Sequence, residues 1–307
     1  VFSASGAQSV PLASLGTPVG GQSFDMYGMV NSLYNHGAGT GTIHTRVGNY
    51  LVRMSAQAPT PNTITSGLFF GFVEDWPTPP AYGGSMASEE LTSPYINFSA
   101  DWINANQIEK VFMVLDNIFG YLVAPDAVNS QGSVYLTEML RILDQWEANA
   151  PNASREYILY SPWHYLRQSG VTIPPTTMPS GAITEPGHLE WYQATLVDYQ
   201  AWSDSLLAMM QAARPTLNIT MHKVGMALCT AHRDIPAIHA MDIADLFFDI
   251  AHGKPSWYLM AAIAEYICLF GEKPAADLVI DPAWGIHPTV EANYQVIVDH
   301  MWGVLNP

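Results

Sequence analysis

The segment SFDMYGMV, residues 23–30, is short and mostly apolar, and the polar, glycine-rich NSLYNHGAGTGT (31–42) follows it at once. That is the pattern of a buried strand opening onto a loop. Upstream, residues 1–22 are rich in Gly, Ser, Ala and Pro without a sustained period, which predicts an irregular arm. Downstream, Val47, Leu51 and Met54 fall at helical spacing in a segment that stops at Pro59. NTITSGLFFGFV (62–73) then returns to strand character.

The same alternation continues to the end of the chain. KVFMVL (110–115), YILYS (157–161) and NITMHKV (218–224) read as strands. Leu136, Leu140, Leu143 and Trp146 mark one face of a helix, and Tyr192, Leu196, Tyr199, Leu206 and Met210 outline a longer one. WYLMAAIAEYICLF (257–270) is apolar on nearly every side; at 14 residues, with Gly271 behind it, it predicts a buried helix rather than a membrane span. VEANYQVIVDHMWGVL (290–305) closes the chain as an amphipathic helix. Strands alternating with helices imply parallel pairing with helices on both faces, a three-layer α/β/α sandwich. Ligands of such sheets bind at the carboxyl ends of the strands, so the loops after residues 30, 67, 115 and 245 are where chemistry is expected.

Composition narrows the classes of partner. Of 307 residues, 49% are hydrophobic and 12% charged, and 27 acidic against 11 basic side chains give a formal charge of -16. Such a surface repels phosphate backbones and anionic headgroups, which argues against nucleic acid as a partner. The acidity fits a salty or extracytoplasmic setting, periplasmic or secreted. The start, VFSASGAQSVPLASLGTPVGG, lacks the basic and apolar regions of a signal peptide and reads as a mature or trimmed N-terminus. Cys229 and Cys268 are too few for a disulfide framework and read as buried thiols. Asn97, Asn152 and Asn218 stand in N-x-S/T triplets, which matter only in a glycosylating host.

Two stretches could carry reaction chemistry. In FFDIAHGKP (247–255), Asp249 precedes His252 by three residues, so one turn can hold the carboxylate on Nδ1 and leave Nε2 as a base. In VNSLYNHGAGTGT (30–42), Ser32 follows the end of the first strand, where backbone N–H groups of the glycine-rich loop could bind an oxyanion. Taken singly, each has a plainer reading: a capping pair for the first, a turn serine for the second. Ser14 and Ser23 compete with Ser32, and His287 with Asp281 competes with the dyad. His36, His44, His232 and His239 lack the spacing of metal ligands, so no metal is expected. Trp76, Trp163, Tyr165 and Tyr192 lie in or beside loops, where they could stack on a sugar ring or simply cover core.

In their order along the chain these pieces resemble the SGNH (GDSL-like) hydrolases. Asn31-Ser32-Leu33, then Gly67, then Asn117, then Asp249 to His252 follow the family's four blocks from about residue 24 onward. The likeness is nearest to a bacterial subgroup with a Gly-Asn-Ser-Leu nucleophile motif, an Asp-x-x-His-Gly block and a His-Pro segment, here His287-Pro288. Val30 departs from it, standing where the pattern has glycine; Asp116-Asn117 replaces the usual glycine-rich third block, and the chain runs 55 residues past His252.

The resemblance implies a single domain of flavodoxin-like SGNH fold over 23–307, with Ser32 as nucleophile, His252 as general base and Asp249 as its orienter. It also implies an oxyanion hole formed by the N–H groups of Ser32 and Gly67 and the Asn117 amide, with Gly71 as an alternative to Gly67. A serine esterase of this kind needs no cofactor. Acetyl groups on a carbohydrate are the expected substrate, contacted by Trp76, Trp163 and Tyr165, with lipid or aryl esters as alternatives. A carbohydrate-binding protein whose catalysis has lapsed is the competing class. Oligomeric state is left open.

Overall fold

The computed structural model describes residues 21–30, 34, 47–65, 71–72, 108–115, 123–128, 134–149, 151–164, 166, 185–249 and 251–306. It is an α/β protein. The strands are β1 (Ser23–Val30), β2 (Thr63–Thr65), β3 (Gly71–Phe72), β4 (Lys110–Val114), β5 (Glu156–Tyr160) and β6 (Asn218–His222). They lie in the order β2-β1-β4-β5-β6, with β3 also on β1, and every described pairing between them is parallel. The order reverses between β1 and β4, since the chain goes from β1 to one side and returns to build the other.

Because side chains alternate along a strand, β4 and β5 feed two separate cores. Phe112, Val114, Ile158 and Tyr160 point into one, where they meet helices α1 (Val47–Ala56), α5 (Val224–Asp234), α8 (Pro255–Phe270) and α10 (Tyr294–Leu305). Val111, Met113, Tyr157 and Leu159 point into the other, against α2 (Tyr135–Asn149) and α4 (Gln200–Ala213). Helices thus cover both faces of the described sheet.

α8 occupies the middle of the first core. Pro255 stands in its first turn, and Gly271 ends it in a left-handed conformation, φ 63°, which glycine adopts without steric cost. Its buried side chains run around the whole helix, because α1, α5 and α10 surround the sides that the sheet does not cover. Among the described residues no helix is long and apolar enough to cross a membrane.

Several boundaries differ from the sequence reading. The strand expected to reach residue 224 stops at His222, and α5 begins two residues later. Gly225 makes that turn possible: its N–H donates to the Ser161 carbonyl at 2.8 Å, and a Cβ there would lie 2.1 Å from the Pro162 oxygen. The long helix predicted from Tyr192 to Met210 starts earlier, as α3 (Glu185–Gln193), and passes through a π-helical stretch over 194–199 into α4. The closing helix is broken at Asn293 into α9 (Pro288–Ala292) and α10; Asn293 donates its side-chain amide to the Thr289 carbonyl at 2.8 Å. Short helices α6 (Pro236–His239) and α7 (Ile243–Leu246) fill the stretch before the dyad. Cys229 is buried and Cys268 only partly so, and both are free thiols.

Candidate active site

The Asp-x-x-His stretch forms a small hairpin between α7 and α8. Phe247 and Gly253 face one another as an antiparallel bridge, the Phe248 N–H donates to the His252 carbonyl at 2.8 Å, and the Lys254 N–H to the Leu246 carbonyl at 2.7 Å. Across the tip, Asp249 Oδ1 accepts from the backbone N–H groups of Ala251 and His252, at 2.7 and 2.8 Å. An Asp bonding the main chain two and three residues on is a local turn device, and it leaves the second carboxylate oxygen for another partner. That partner is His252, whose Nδ1 lies 2.6 Å from Asp249 Oδ2.

The Asp249 carboxyl is half-buried, which by itself would push its pKa up. The hydrogen bond and charge of His252, with the two backbone N–H groups, outweigh burial and hold it at about 2. Asp249 is therefore ionised throughout the neutral range, and it fixes the ring so that proton transfer falls to Nε2.

Aromatic side chains support the hairpin from below. Phe247 lies 4.7 Å from Trp257, which meets Trp163 at 5.9 Å and Trp191 at 5.7 Å between ring centroids. Gly253 is required by this packing, since a Cβ there would come within 2.6–2.9 Å of Trp257 side-chain atoms. Trp163, just past the carboxyl end of β5, donates its indole N–H to the Ala251 carbonyl at 2.8 Å. The hairpin is thereby tied to the edge of the sheet where parallel α/β proteins hold ligands.

This corrects one expectation. Trp163 is 0% exposed and offers no face for stacking on a sugar; it belongs to the support of the dyad. Tyr192 is likewise buried, with its hydroxyl 2.8 Å from His232 Nδ1 and 3.3 Å from His239 Nδ1. Phe248, in contrast, is 44% exposed beside the dyad, with Lys254 Nζ 5.8 Å from its ring centre. Neither Phe248 nor the buried Trp191 and Trp257 stood out in sequence, where the Phe-Phe-Asp run and a single Trp on an apolar helix look like ordinary core.

The rival pair is used elsewhere. Asp281 caps a short 3-10 turn by accepting from the Ala283 N–H at 2.8 Å, and His287 caps α9 by accepting at Nδ1 from the Thr289 N–H at 3.2 Å. The carboxylate near His287 is Asp245, 3.9 Å from Nε2. Among the described residues no group of three or more His, Cys, Asp or Glu could hold a metal ion.

Ser32, Gly67, Asn117, Trp76 and Tyr165 lie outside the described residues, as do Ser14, Gly-rich residues 37–41, His36 and His44. In sequence, Ser32 stands two residues past Val30 at the end of β1, Gly67 two past Thr65 at the end of β2, and Asn117 three past Val114 at the end of β4. No family model matches the chain, and no curated protein or solved structure matches it.

Proposed function

We propose that the chain is a serine esterase of SGNH type, with the three-layer α/β/α arrangement of that class. The observation that carries the proposal is the carboxylate-held imidazole of His252, tied to the carboxyl edge of a parallel sheet. The strand order supports it too: the reversal between β1 and β4 is where such sheets hold ligands, and Ser32 and Asn117 follow those two strands in sequence.

In this reading His252 Nε2 removes the proton from Ser32 Oγ as that oxygen attacks the ester carbonyl carbon. The negative charge that develops on the carbonyl oxygen is met by the N–H groups of Ser32 and Gly67 and by the Asn117 amide. Collapse of the tetrahedral species breaks the bond to the alcohol oxygen, which takes the proton from His252 and leaves Ser32 acylated. Water, deprotonated by His252, then releases the acid and regenerates Ser32. Asp249 stays ionised and stabilises the imidazolium formed in each half. Bound protein groups supply every proton transfer, so the chemistry calls for no cofactor.

An acetylated carbohydrate in an extracytoplasmic setting is the substrate we favour, on the acidic composition in which only 12% of side chains are charged. Phe248 takes over the stacking role first given to Trp163. Val30, in place of glycine beside Asn31-Ser32, favours the second reading, a binding protein without turnover. Hydrolysis of 4-nitrophenyl acetate separates them: the esterase turns it over, and Ser32→Ala and His252→Ala abolish turnover while the proteins remain folded. Wild-type turnover no faster than buffer, or unchanged in Ser32→Ala, would overturn the proposal.

A further inference from the structure

Two side chains grip the peptide that joins Ala251 to His252 from opposite sides. Its carbonyl oxygen accepts from the Trp163 indole N–H at 2.8 Å, and its N–H, on His252, donates to Asp249 Oδ1 at 2.8 Å. In a trans peptide these two groups point in opposite directions across one rigid plane. Rotating that plane would break both bonds together.

Trp163 is itself closely packed. It is fully buried, and its ring meets Trp257 and Tyr258 of α8 edge-on, at 5.9 and 5.8 Å with interplanar angles of 88° and 83°. Its backbone follows Ser161, whose N–H donates to the His222 carbonyl and whose carbonyl accepts from Gly225, at 2.9 and 2.8 Å. The indole N–H is thus an extension of the sheet edge.

Resting on the esterase reading above, we infer that Trp163 is the positioning residue of the catalytic base. It locks the Ala251–His252 peptide plane, and through it the direction of the imidazole and the seat of the Asp249 carboxylate relative to the ends of β1 and β4. The bond acts on the dyad electronically as well. A hydrogen bond to the carbonyl polarises the amide and strengthens its N–H as a donor to Asp249. That N–H is one of the groups holding the Asp249 carboxyl low, together with the Ala251 N–H and the His252 side chain.

The test replaces the donor and keeps the ring. Trp163→Phe, and a second variant carrying benzothienylalanine at 163 to preserve the bicyclic shape with sulfur in place of N–H, are compared with wild type. Expected are a kcat lower by about tenfold or more with KM little changed, and a rise of the Asp249 carboxyl titration, followed by its ¹³C resonance, from about 2 toward ordinary aspartate values. A purely structural tryptophan would lower the melting temperature without moving that titration in the shape-preserving variant. An unmoved Asp249 titration together with an unchanged kcat in the benzothienylalanine protein overturns the inference. Because the titration needs no turnover, a moved resonance in a protein without esterase activity would refute the esterase reading and leave the tether standing.

Discussion

Replacing Gly225 by alanine drives a methyl group into backbone rather than into a side chain that could swing aside. The added Cβ would sit 2.1 Å from the Pro162 carbonyl oxygen, 2.4 Å from its carbon and 2.6 Å from the Trp163 nitrogen. Restoring ordinary contact at 3.4 Å means parting α5 from the segment after β5 by about 1.3 Å. That movement strains the 2.8 Å bond from the Gly225 N–H to Ser161 and shifts Trp163, whose indole holds the dyad hairpin. Overpacking against rigid neighbours costs about 3 kcal/mol, which for a chain of this size lowers Tm by roughly 5 °C. On the esterase proposal, a shift of about 1 Å carried to His252 is expected to lower kcat by roughly a hundredfold. Thermal unfolding followed by circular dichroism, beside ester hydrolysis at saturating substrate, measures both. A Gly225→Ala protein that melts within about 1 °C of wild type and keeps its kcat refutes the reasoning, because the packing that ties α5 to the dyad would then be absent.

The same substitution at Gly303, in α10, meets nothing within 4 Å, so Gly303→Ala is expected to stabilise by roughly 0.5–1 kcal/mol through helix propensity, read as a higher urea midpoint. Asp249→Asn cannot hold the His252 tautomer and is expected to lower kcat by about 10³–10⁴ at neutral pH; a loss under about tenfold would remove Asp249 from the mechanism. On the esterase proposal, an Asp249 carboxyl held at about 2 leaves no inflection in the rate profile near the ordinary aspartate value.

Glu265 is fully buried against His222, 2.8 Å away, and burial pushes its carboxyl up while His222 opposes the shift. With its folded value above the unfolded value of about 4.3, its contribution to stability is whole below that pH and is lost as pH rises toward the folded value. Urea unfolding should therefore show wild type losing stability relative to Glu265→Gln on going from about pH 4 to 7, and parallel pH dependence in the two proteins would contradict it.

Much of this architecture is legible in sequence because each strand is a short apolar run bounded by turn residues. SFDMYGMV coincides with β1, and KVFMVL runs one residue past β4. The parallel pairing, though not the strand order, followed from strands alternating with helical periods. α5 escaped because its start, Val224-Gly225, abuts a strand-like run, and the close approach that needs glycine there depends on Pro162, 63 residues earlier. Asp249 and His252 were visible because their pairing is local, three residues apart. Trp163 was noticed for its loop position but misjudged, since what buries it is α8, far along the chain. Long-range packing of this kind leaves no local period. The break at Asn293 was missed for a similar reason: the apolar spacing of 290–305 runs on through it.

The nucleophile is the part of the esterase reading most exposed to disproof. Reaction with a fluorophosphonate, with the adduct located by mass spectrometry, tests it directly. An esterase built as proposed carries the label on Ser32 and loses it in His252→Ala. Absence of label from every serine contradicts the proposal, and label on Ser14 or Ser23 keeps the chemistry but moves the nucleophile.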